Sequence, residues 1–348
     1  MKFIDLFAGI GGFRFGMESA GHECVAFCEI DKFARASYKA IHNTEGEIEL
    51  HDITQVTDDE IRRIGHVDAI CGGFPCQAFS IAGNRRGFED TRGTLFFEIA
   101  RFASILKPKY LFLENVKGLL NHDKGDTFEV ILSALDELGY DVEWQVLNSK
   151  DFGVPQNRER VFIIGHLRGE RGRKIFPIGG ENEKSSAERL GINILGNTKN
   201  PNGRAQGTRD IVHDPKGIVG VLTATDYKGP KQVAIPVQPK IRVCEATKQG
   251  YAEASVGDSV NLAHPNSKTR RGRVGKQIAN TLLTGESQGV VEPSFRIRKL
   301  TPRECWRLQG FPDWAFDKVQ EVNSNSQLYK QAGNSVTVNV IKEIARRL

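Results

Sequence analysis

The sequence predicts an α/β protein whose core is a doubly wound, mostly parallel sheet, joined to a second, smaller, irregular β-rich domain. Two observations carry this prediction. Short apolar runs alternate with amphipathic stretches through residue 167, a pattern typical of strands and helices that cover both faces of a parallel sheet. From residue 168 to residue 295 the alternation stops, and Gly, Pro, Asn, Lys and Arg separate only short apolar runs.

The elements of the first part follow from length and spacing. Short apolar runs predict strands, whereas apolar residues three or four apart predict helices. In the second helix, for example, Phe33, Ala36, Tyr38 and Ile41 fall on one face. Strands are predicted at residues 3–8, 24–30, 67–71, 110–113, 141–147 and 161–167, and helices at residues 11–20, 31–42, 94–106 and 126–138.

Helical character returns at the end of the chain. Residues 303–308 and 338–348 show helical spacing of apolar side chains. The second of these helices is amphipathic, and we expect it to pack back on the first sheet. The sequence therefore predicts a discontinuous first domain, made of residues 1–167 plus 325–348, and a second domain made of residues 168–324.

Composition limits the class of protein. The chain has 348 residues, 39% of them hydrophobic and 26% charged, which is typical of a globular protein. No apolar run approaches 18 residues, and the start lacks a signal-peptide pattern, so neither a membrane span nor export is expected. Six cysteines without a CxxC pair indicate a reducing cytoplasm and no metal site.

The net charge of +5 conceals an asymmetry along the chain. Residues 1–167 carry 18 Lys or Arg against 26 Asp or Glu, whereas residues 168–299 carry 23 against 12. A basic segment beside an acidic one points to a polyanionic partner for the basic part. A solvated basic surface is the alternative interpretation.

The first strand runs into a turn that contains Gly9, Gly11 and Gly12. Glycines let a ligand approach the backbone, and a helix start attracts an anionic group. The dinucleotide motif GxGxxG is absent because Arg14 stands at its third glycine. Glu29 ends the second strand, where a carboxylate can take ribose hydroxyls. Asp52 could reach an adenine amino group or simply cap a turn.

Cys76 follows Pro75 directly after the strand that ends in two glycines. A reactive thiolate needs access and a lowered pKa, and a tight loop supplies both. The polar segment of residues 80–93 that follows carries Arg85, Arg86 and Arg92, and such a loop could close over a substrate. A buried, inert cysteine is the alternative.

Two further strand ends carry charged side chains. Glu114 closes the strand that follows Cys76 in chain order, so it can face the same site. Arg158 and Arg160 precede the strand VFIIG, and alternation places both on one face. Paired guanidiniums hold a phosphate or orient a carboxylate.

The ordered motifs resemble those of the DNA cytosine-5 methyltransferase family, in its compact bacterial restriction-modification type. They are DLFAGIGGF, GGFPCQAFS, GTLFFEIARF, FLENVKGL, QNRERVFIIG, RKLTPRECWRLQGFPD and YKQAGNSVTVNV. They lie within residues 3–165 and 296–345, which leaves the basic middle segment unmatched. The resemblance implies a class I S-adenosylmethionine-dependent, Rossmann-like methyltransferase fold.

The resemblance implies catalytic roles for four residues. Cys76 would add its thiolate to carbon 6 of a flipped-out cytosine, and Glu114 would hold the ring nitrogen and the exocyclic amine. Arg160 would contact the base edge, and Arg158 would support the geometry of Cys76 and Glu114. Carbon 5 would then take the methyl group of S-adenosylmethionine, with the thiolate expelled afterwards.

The resemblance also implies a cofactor pocket and a recognition domain. Ile30 stands where the family representative has an aromatic residue, so an aliphatic face would pack the adenine; Ala82 replaces a loop serine. The middle segment has the place and charge of a target-recognition domain, which Thr281-Leu282 would end. The implied cofactor residues are Phe7, Gly9, Ile10, Gly11, Gly12, Glu29, Ile30, Asp52, Ile53, Pro75, Leu95 and Asn334, and the candidate DNA-binding residues are Arg85, Arg86, Arg92, Lys268, Arg270, Arg271 and Arg273.

The leading hypothesis is a monomeric DNA methyltransferase acting on a short duplex site in a bacterial or phage-infected cytoplasm, at the nucleoid, without metal or membrane. A cognate restriction endonuclease would act on the same site without being a subunit. Two alternatives stay open. A tRNA cytosine-5 methyltransferase would share the core, although its Cys-Phe-Thr segment is missing here. A catalytically silent DNA-binding regulator would not need the complete set of Cys76, Glu114 and Arg160.

Overall fold

The computed structural model describes most of the chain. Predicted features at Cys76, Arg85, Arg86, Arg92, Lys268 and Thr281-Leu282 lie outside the described residues. The described residues are 1–75, 95–170, 172–179, 194–198, 210–237, 240–261, 267, 269–277, 288–292 and 294–348.

The chain divides into two compact units. The larger unit comprises Met1–Asn193, Lys216–Lys231 and Leu300–Leu348, and the smaller one Ile194–Pro215 and Gln232–Lys299. Residues 168–193, 216–231 and 300–324 thus lie in the larger unit, although the sequence analysis assigned them to the second domain. The smaller unit consists of short strands, mostly antiparallel, in small sheets, which fits the irregular β-rich domain expected from the sequence.

A seven-stranded sheet organises the larger unit, in the order β3-β2-β1-β4-β5-β8-β6. Neighbouring strands from β3 to β5 are parallel, and β8 runs antiparallel to both β5 and β6. The predicted doubly wound, mostly parallel sheet is confirmed. Its seven strands are β1 Lys2–Leu6, β2 Glu23–Cys28, β3 Ile48–Leu50, β4 Ala69–Gly73, β5 Tyr110–Val116, β6 Tyr140–Asn148 and β8 Glu159–Leu167. The two-residue strand β7, Gln156–Asn157, lies outside this sheet and pairs with Val219–Gly220.

Helices cover both faces of this sheet. Because successive strand residues point to opposite faces, Ile4 packs with the helices α3 to α5, whereas its neighbour Phe3 packs with α1 and α9. A third apolar cluster around Trp306 joins α6, α7 and α8. The helices are α1 Gly12–Glu18, α2 Lys32–Ile41, α3 Asp58–Ile64, α4 Leu95–Leu106, α5 Asp126–Glu137, α6 Pro302–Leu308, α7 Asp313–Val319, α8 Asn325–Asn334 and α9 Val338–Ala345.

Local capping explains where several helices begin. Thr57 and Glu60 form a capping box at α3, and Thr301 and Glu304 form another at α6. Asp31 caps α2 through its side chain. No described helix has the length and apolar character that crossing a bilayer requires.

Candidate functional site

A cavity of about 470 Å³ opens at the carboxyl ends of the parallel strands of the larger unit. This is the edge at which ligands bind in open α/β sheets, and the volume suits a small organic ligand. The predicted catalytic residues Glu114, Arg158 and Arg160 line it. So do ten of the twelve predicted cofactor residues, namely Phe7, Gly9, Ile10, Glu29, Ile30, Asp52, Ile53, Pro75, Leu95 and Asn334.

Gly11 and Gly12 do not line the cavity. Gly11 has a φ of 83° and precedes α1, and a Cβ at this position would overlap the His42 imidazole. A Cβ on Gly12 would lie 2.7 Å from Ser335 Oγ. These two glycines therefore let α1 pack closely against its neighbours.

Glu29 is held by the turn that it faces. Its Oε2 accepts a hydrogen bond from Gly9 N at 2.8 Å, and its Oε1 accepts one from Asp31 N at 2.7 Å. Arg35 Nη1 donates to the Glu29 and Ile30 carbonyl oxygens at 2.7 and 2.8 Å. Burial raises the pKa of Glu29, which the two backbone donors offset in part. Each carboxylate oxygen keeps a second lone pair that can accept from a ligand hydroxyl.

The residues expected around an adenine lie beside Glu29. Ile30 is 67% exposed, which is unusual for an isoleucine. The flat face of a bound ligand would cover this side chain. Asp52 Oδ1 accepts from Thr54 N at 3.0 Å and from Thr54 Oγ1 at 2.7 Å. Asp52 is thus both a cap, which was the alternative interpretation, and a residue of the cavity lining.

The polar and apolar groups that line this part of the cavity fit an adenosine-type ligand. Glu29 offers acceptors for ribose hydroxyls, Ile30 an apolar face, and Asp52 an acceptor for an amino group. Among the described residues, no group of three or more His, Cys, Asp or Glu side chains could hold a metal ion.

Glu114 and Arg160 form an ion pair at the other end of the cavity. Arg160 Nε lies 3.0 Å from Glu114 Oε1, with side chains only 16% and 10% exposed. Burial raises the pKa of Glu114, and the charges of Arg160 and Arg158 offset part of this increase. A Cβ on Gly73 would lie 3.0 Å from Glu114 Oε2, so the second glycine of β4 leaves room for the carboxyl group.

Arg158 is buried, and its guanidinium donates to backbone carbonyl oxygens. Nη1 donates to Leu222 O at 3.0 Å, and Nη2 donates to Ser335 O at 2.7 Å and to Gly333 O at 3.3 Å. Burial lowers the pKa of Arg158 to about 9, and the Arg160 charge acts in the same direction. Arg158 therefore joins three segments that are distant in sequence.

Asn115 is a site residue that the sequence analysis did not single out. Its Nδ2 donates to Phe74 O at 3.0 Å, and its Oδ1 accepts from Val116 N at 2.8 Å. Asn115 thereby holds the backbone immediately before Pro75, which lines the cavity. Cys76 follows Pro75 in the chain and lies outside the described residues. The signal was present in the sequence, because Asn115 directly follows Glu114.

Lys330 and Gln331 of α8 also line the cavity, together with Asp31. The sequence analysis named only Asn334 in this part of the chain. The polar sequence of α8 gave no apolar pattern from which its position beside α2 could be predicted.

The candidate DNA-binding residues differ in exposure within the smaller unit. Arg270 and Arg271 are exposed. Arg273 is buried, and its Nη1 and Nη2 donate to Cys244 O at 2.9 Å and to Asn261 O at 2.8 Å. Its guanidinium thus holds two strands of the smaller unit together.

Comparisons with known proteins identify the family of the chain. A family model described as C-5 cytosine-specific DNA methylase matches residues 1–348. Type II methyltransferase M.HhaI of Haemophilus parahaemolyticus is 36% identical over 348 residues, which cover 99% of this chain and 93% of that protein. M.HpaII of Haemophilus parainfluenzae is 37% identical, with coverages of 99% and 88%. The orphan methyltransferase M.SPRI of Bacillus phage SPR is 33% identical, with coverages of 100% and 97%.

Solved structures share the fold. The Dnmt2 methyltransferase of S. pombe superposes with a TM-score of 0.57 at 18% identity, with coverage of 99% of this chain and 96% of that one. A putative DNA modification methyltransferase encoded within an E. coli prophage gives a TM-score of 0.53 at 18% identity, with coverages of 99% and 97%.

Proposed function

This chain belongs to the C-5 cytosine-specific DNA methylase family and is a DNA (cytosine-5-)-methyltransferase, and from that premise we propose its mechanism and site. It transfers a methyl group from S-adenosylmethionine to carbon 5 of a flipped-out cytosine, through a covalent Cys76 adduct, in a short duplex DNA site. The observation that carries this proposal is one cavity that contains Glu29 at one end and Glu114 with Arg160 at the other, with Pro75, the residue before Cys76, in its lining.

Residues around Glu29 would hold the methyl donor in this cavity. S-adenosylmethionine supplies an electrophilic methyl group on its sulfonium. Glu29 accepts hydrogen bonds from the ribose hydroxyls, because Gly9 N and Asp31 N already fix the orientation of its carboxylate. Ile30 and Ile53 pack the adenine, and Asp52 accepts from its amino group. Phe7, Ile10, Leu95 and Asn334 complete the pocket, while Gly11 and Gly12 act indirectly by keeping α1 close.

Chemistry on the cytosine starts with the Cys76 thiolate. Sγ forms a bond to carbon 6, and the electron pair of the carbon 5–carbon 6 double bond becomes available at carbon 5. Carbon 5 would then form a bond to the methyl carbon as the sulfonium–methyl bond breaks, with its electron pair returning to sulfur and S-adenosylhomocysteine leaving as the neutral thioether. A base then removes the carbon 5 proton, the double bond re-forms, and the carbon 6–sulfur bond breaks to return the thiolate.

Glu114 makes the ring an electron acceptor. Burial raises the pKa of Glu114, which helps its carboxyl group to carry a proton to ring nitrogen 3 while the other oxygen accepts from the exocyclic amine. Arg160 fixes the carboxyl through the 3.0 Å contact and reaches the base edge. Arg158 supports the site through the carbonyl oxygens of Leu222, Gly333 and Ser335 rather than by touching the base.

Target recognition belongs to the basic segment. Arg270 and Arg271 are exposed in the smaller unit and suit contacts with phosphates or base edges. On charge alone, we extend the DNA-binding role to Lys268 of this segment and to Arg85, Arg86 and Arg92, which follow Cys76 in the sequence. We assign Arg273 an internal role in the smaller unit because of its burial.

The cellular setting is the cytoplasm of a bacterial or phage-infected cell, at the nucleoid. The relatives named type II methyltransferases favour a restriction-modification system, in which a cognate endonuclease cuts the same site as a separate protein. The orphan phage relative favours a solitary enzyme that protects DNA. We propose that the protein acts as a monomer.

Expression in a methylation-free bacterial host tests the reaction. Cytosine-conversion sequencing of the host DNA should show protected cytosines at one fixed short motif. Cys76→Ala should abolish this protection while the purified variant still binds S-adenosylmethionine. A wild-type protein that binds the cofactor but leaves every cytosine convertible would contradict DNA methylation.

A further inference from the structure

Polar contacts between α8 and α2 form one wall of the cavity. Ser37 Oγ donates to Gln331 Oε1 at 3.0 Å, and Gln331 Nε2 donates to Phe33 O at 3.1 Å. Asn323 Nδ2 donates to the same Phe33 carbonyl oxygen at 2.9 Å. The neighbouring face of α8 packs on Trp306 through apolar contacts. The contact of α8 with α2 at the cavity thus depends on directional polar bonds rather than on apolar burial.

An ion pair completes this wall at the cavity. Lys330 Nζ lies 2.7 Å from Asp31 Oδ2, with side chains 40% and 28% exposed. Both residues line the cavity. Burial by itself would raise the pKa of Asp31, but the bond from Lys330 and the backbone donors of α2 outweigh it, and the net pKa is lowered. The carboxylate is therefore charged and paired at neutral pH.

Asp31 connects Lys330 to the ribose-holding carboxylate. Asp31 Oδ1 accepts from Phe33 N at 2.8 Å at the start of α2, and Asp31 N donates to Glu29 Oε1 at 2.7 Å. Glu29 Oε2 in turn accepts from Gly9 N. A continuous chain of charge-assisted bonds thus runs from α8 through the turn of residues 29–31 to the first glycine turn.

We propose that Lys330 is a positioning residue for the methyl donor, acting through Asp31 to hold the turn of residues 29–31 in its ligand-binding arrangement. This rests on the proposed use of S-adenosylmethionine at Glu29. Lys330 anchors the turn from α8, whereas its other anchors include Gly9, Arg35 and Leu50, all within the first 50 residues of the chain. Removing the Lys330 ammonium leaves the turn less ordered before binding, so each ligand must order the turn at a cost in affinity.

The chain offers a matched control. Lys39 Nζ lies 2.7 Å from Glu49 Oε2, with side chains 50% and 28% exposed, nearly the same length and exposure as the Lys330–Asp31 pair. Lys39 is also on the neighbouring helix α2, yet it does not line the cavity. A general loss of surface charge or of α2 stability would affect both pairs alike.

Calorimetric titration of the full chain with S-adenosylmethionine, and separately with S-adenosylhomocysteine, tests the proposal without DNA. Lys330→Met should raise Kd about fivefold, which is the upper end of the effect expected from losing a partly exposed ion pair. Asp31→Asn keeps a capping side chain and should raise Kd similarly. The double variant should be no weaker than either single variant, because all three lack the same interaction. Lys330→Arg should stay within about twofold of wild type because it preserves the charge.

Steady-state methylation supplies a second readout. The KM for S-adenosylmethionine should rise with Kd in Lys330→Met, whereas kcat should change less. Lys39→Met should leave Kd unchanged. Without ligand, both variants should have the melting temperature of the wild type. Wild-type affinity in Lys330→Met, or an equal loss in Lys39→Met, would overturn the proposal. No binding by the wild-type chain would instead overturn the cofactor assignment, and the inference with it.

Discussion

Glu114 shows how one side chain combines burial with a charged neighbour. An isolated buried carboxylate would be costly, and Arg160 reduces that cost without removing it. The net effect is a raised pKa, which is the direction that a proton donor to a ring nitrogen needs. The adjacent Asn115 uses the same strand end to hold the backbone before Pro75.

Glu114→Gln should lower the methyl-transfer rate by about 10²- to 10⁴-fold, because an amide cannot pass a proton to the ring. The measurement is single-turnover transfer of labelled methyl groups to duplex DNA. Affinity for S-adenosylmethionine should stay within about twofold, because Glu114 lies at the opposite end of the cavity from Glu29. A variant that transfers methyl groups at the wild-type rate would refute this role.

The same substitution should change how stability depends on pH. Because the folded-state pKa of Glu114 is raised, the folded wild type binds this proton more tightly than the unfolded chain does. Its free energy of unfolding therefore falls as pH rises from the ordinary carboxyl range through the raised pKa, by up to about 1.4 kcal/mol per pH unit. Glu114→Gln should lack that decline in urea titrations at several pH values. Parallel pH profiles would contradict the raised pKa.

Arg158→Lys should destabilise the larger unit by about 3 kcal/mol, because one ammonium cannot replace a guanidinium that donates to three buried carbonyl oxygens. The midpoint of urea unfolding measures this loss. Arg62→Lys is the control, since Arg62 forms an exposed ion pair with Asp59 and should shift the midpoint little. Equal midpoints for Arg158→Lys and wild type would contradict the structural role.

At the scale of elements, α8 contacts two parts of the larger unit that are distant from each other in sequence. Its residue Gly333 packs against the backbone of Thr223 and Ala224 so closely that a Cβ would overlap both. The same helix reaches Asp31 through Lys330. One helix thus fixes the wall of the cavity and the segment of residues 216–231 together.

Gly333→Ala should cost about 2 kcal/mol of unfolding free energy, because the added methyl group must push α8 away from Thr223. Thermal melting of the purified variant measures this. Gly118→Ala is the matched control, since no atom lies within 4 Å of its added Cβ. Equal melting temperatures for the two variants would show that α8 tolerates the displacement.

The elements that could be predicted from sequence are those with a strong apolar pattern. Most strands and helices of the sheet lie within a few residues of their predicted bounds. The three-residue strand β3 was missed because only backbone pairing with β2 defines it. The charged helix α3 was missed because a capping box rather than an apolar pattern marks its start. The predicted apolar face of α2 was partly wrong, since Ser37 is buried there through its bond to Gln331, whereas Phe33 is 40% exposed.

The site residues likewise divide into those that the sequence pattern predicts and those that it does not. Residues at strand ends, such as Glu29 and Glu114, could be placed because parallel strands bring their carboxyl ends to one edge. Lys330 and Asn115 act through partners that are distant in sequence or through the backbone, and neither leaves a periodic signal. Arg273 was assigned to DNA on charge alone, and burial within the smaller unit is a tertiary property that charge does not encode.

At the scale of the whole molecule, positive and negative charges are distributed unevenly along the chain. The acidic residues 1–167 supply most of the cavity lining, and the basic segment of residues 168–299 carries the exposed Arg270 and Arg271. A basic segment that binds DNA gains free energy from the release of counterions, as the proposed recognition role requires.

Replacing Arg270 and Arg271 together by alanine should weaken DNA binding and lower the slope of log K against log salt by about 2, one for each phosphate that the variant no longer neutralises. Fluorescence anisotropy over a salt series measures this. Binding of S-adenosylmethionine should not change. Arg62→Ala with Arg63→Ala removes the same charge from the larger unit as a control, and an equal change in slope there would refute a specific role.

The cavity lining begins at Phe7 and is not complete before Ser335, which has a consequence during synthesis. A ribosome makes the chain from its N-terminus at about 5 to 20 residues per second. The ribose-holding turn and the Cys76 segment are therefore finished well before α8, and the growing chain lacks the wall that Lys330 and Asn334 provide. A polypeptide that stops before α8 would thus carry Cys76 without the complete cavity, so under the proposed mechanism methylation awaits the translation of α8.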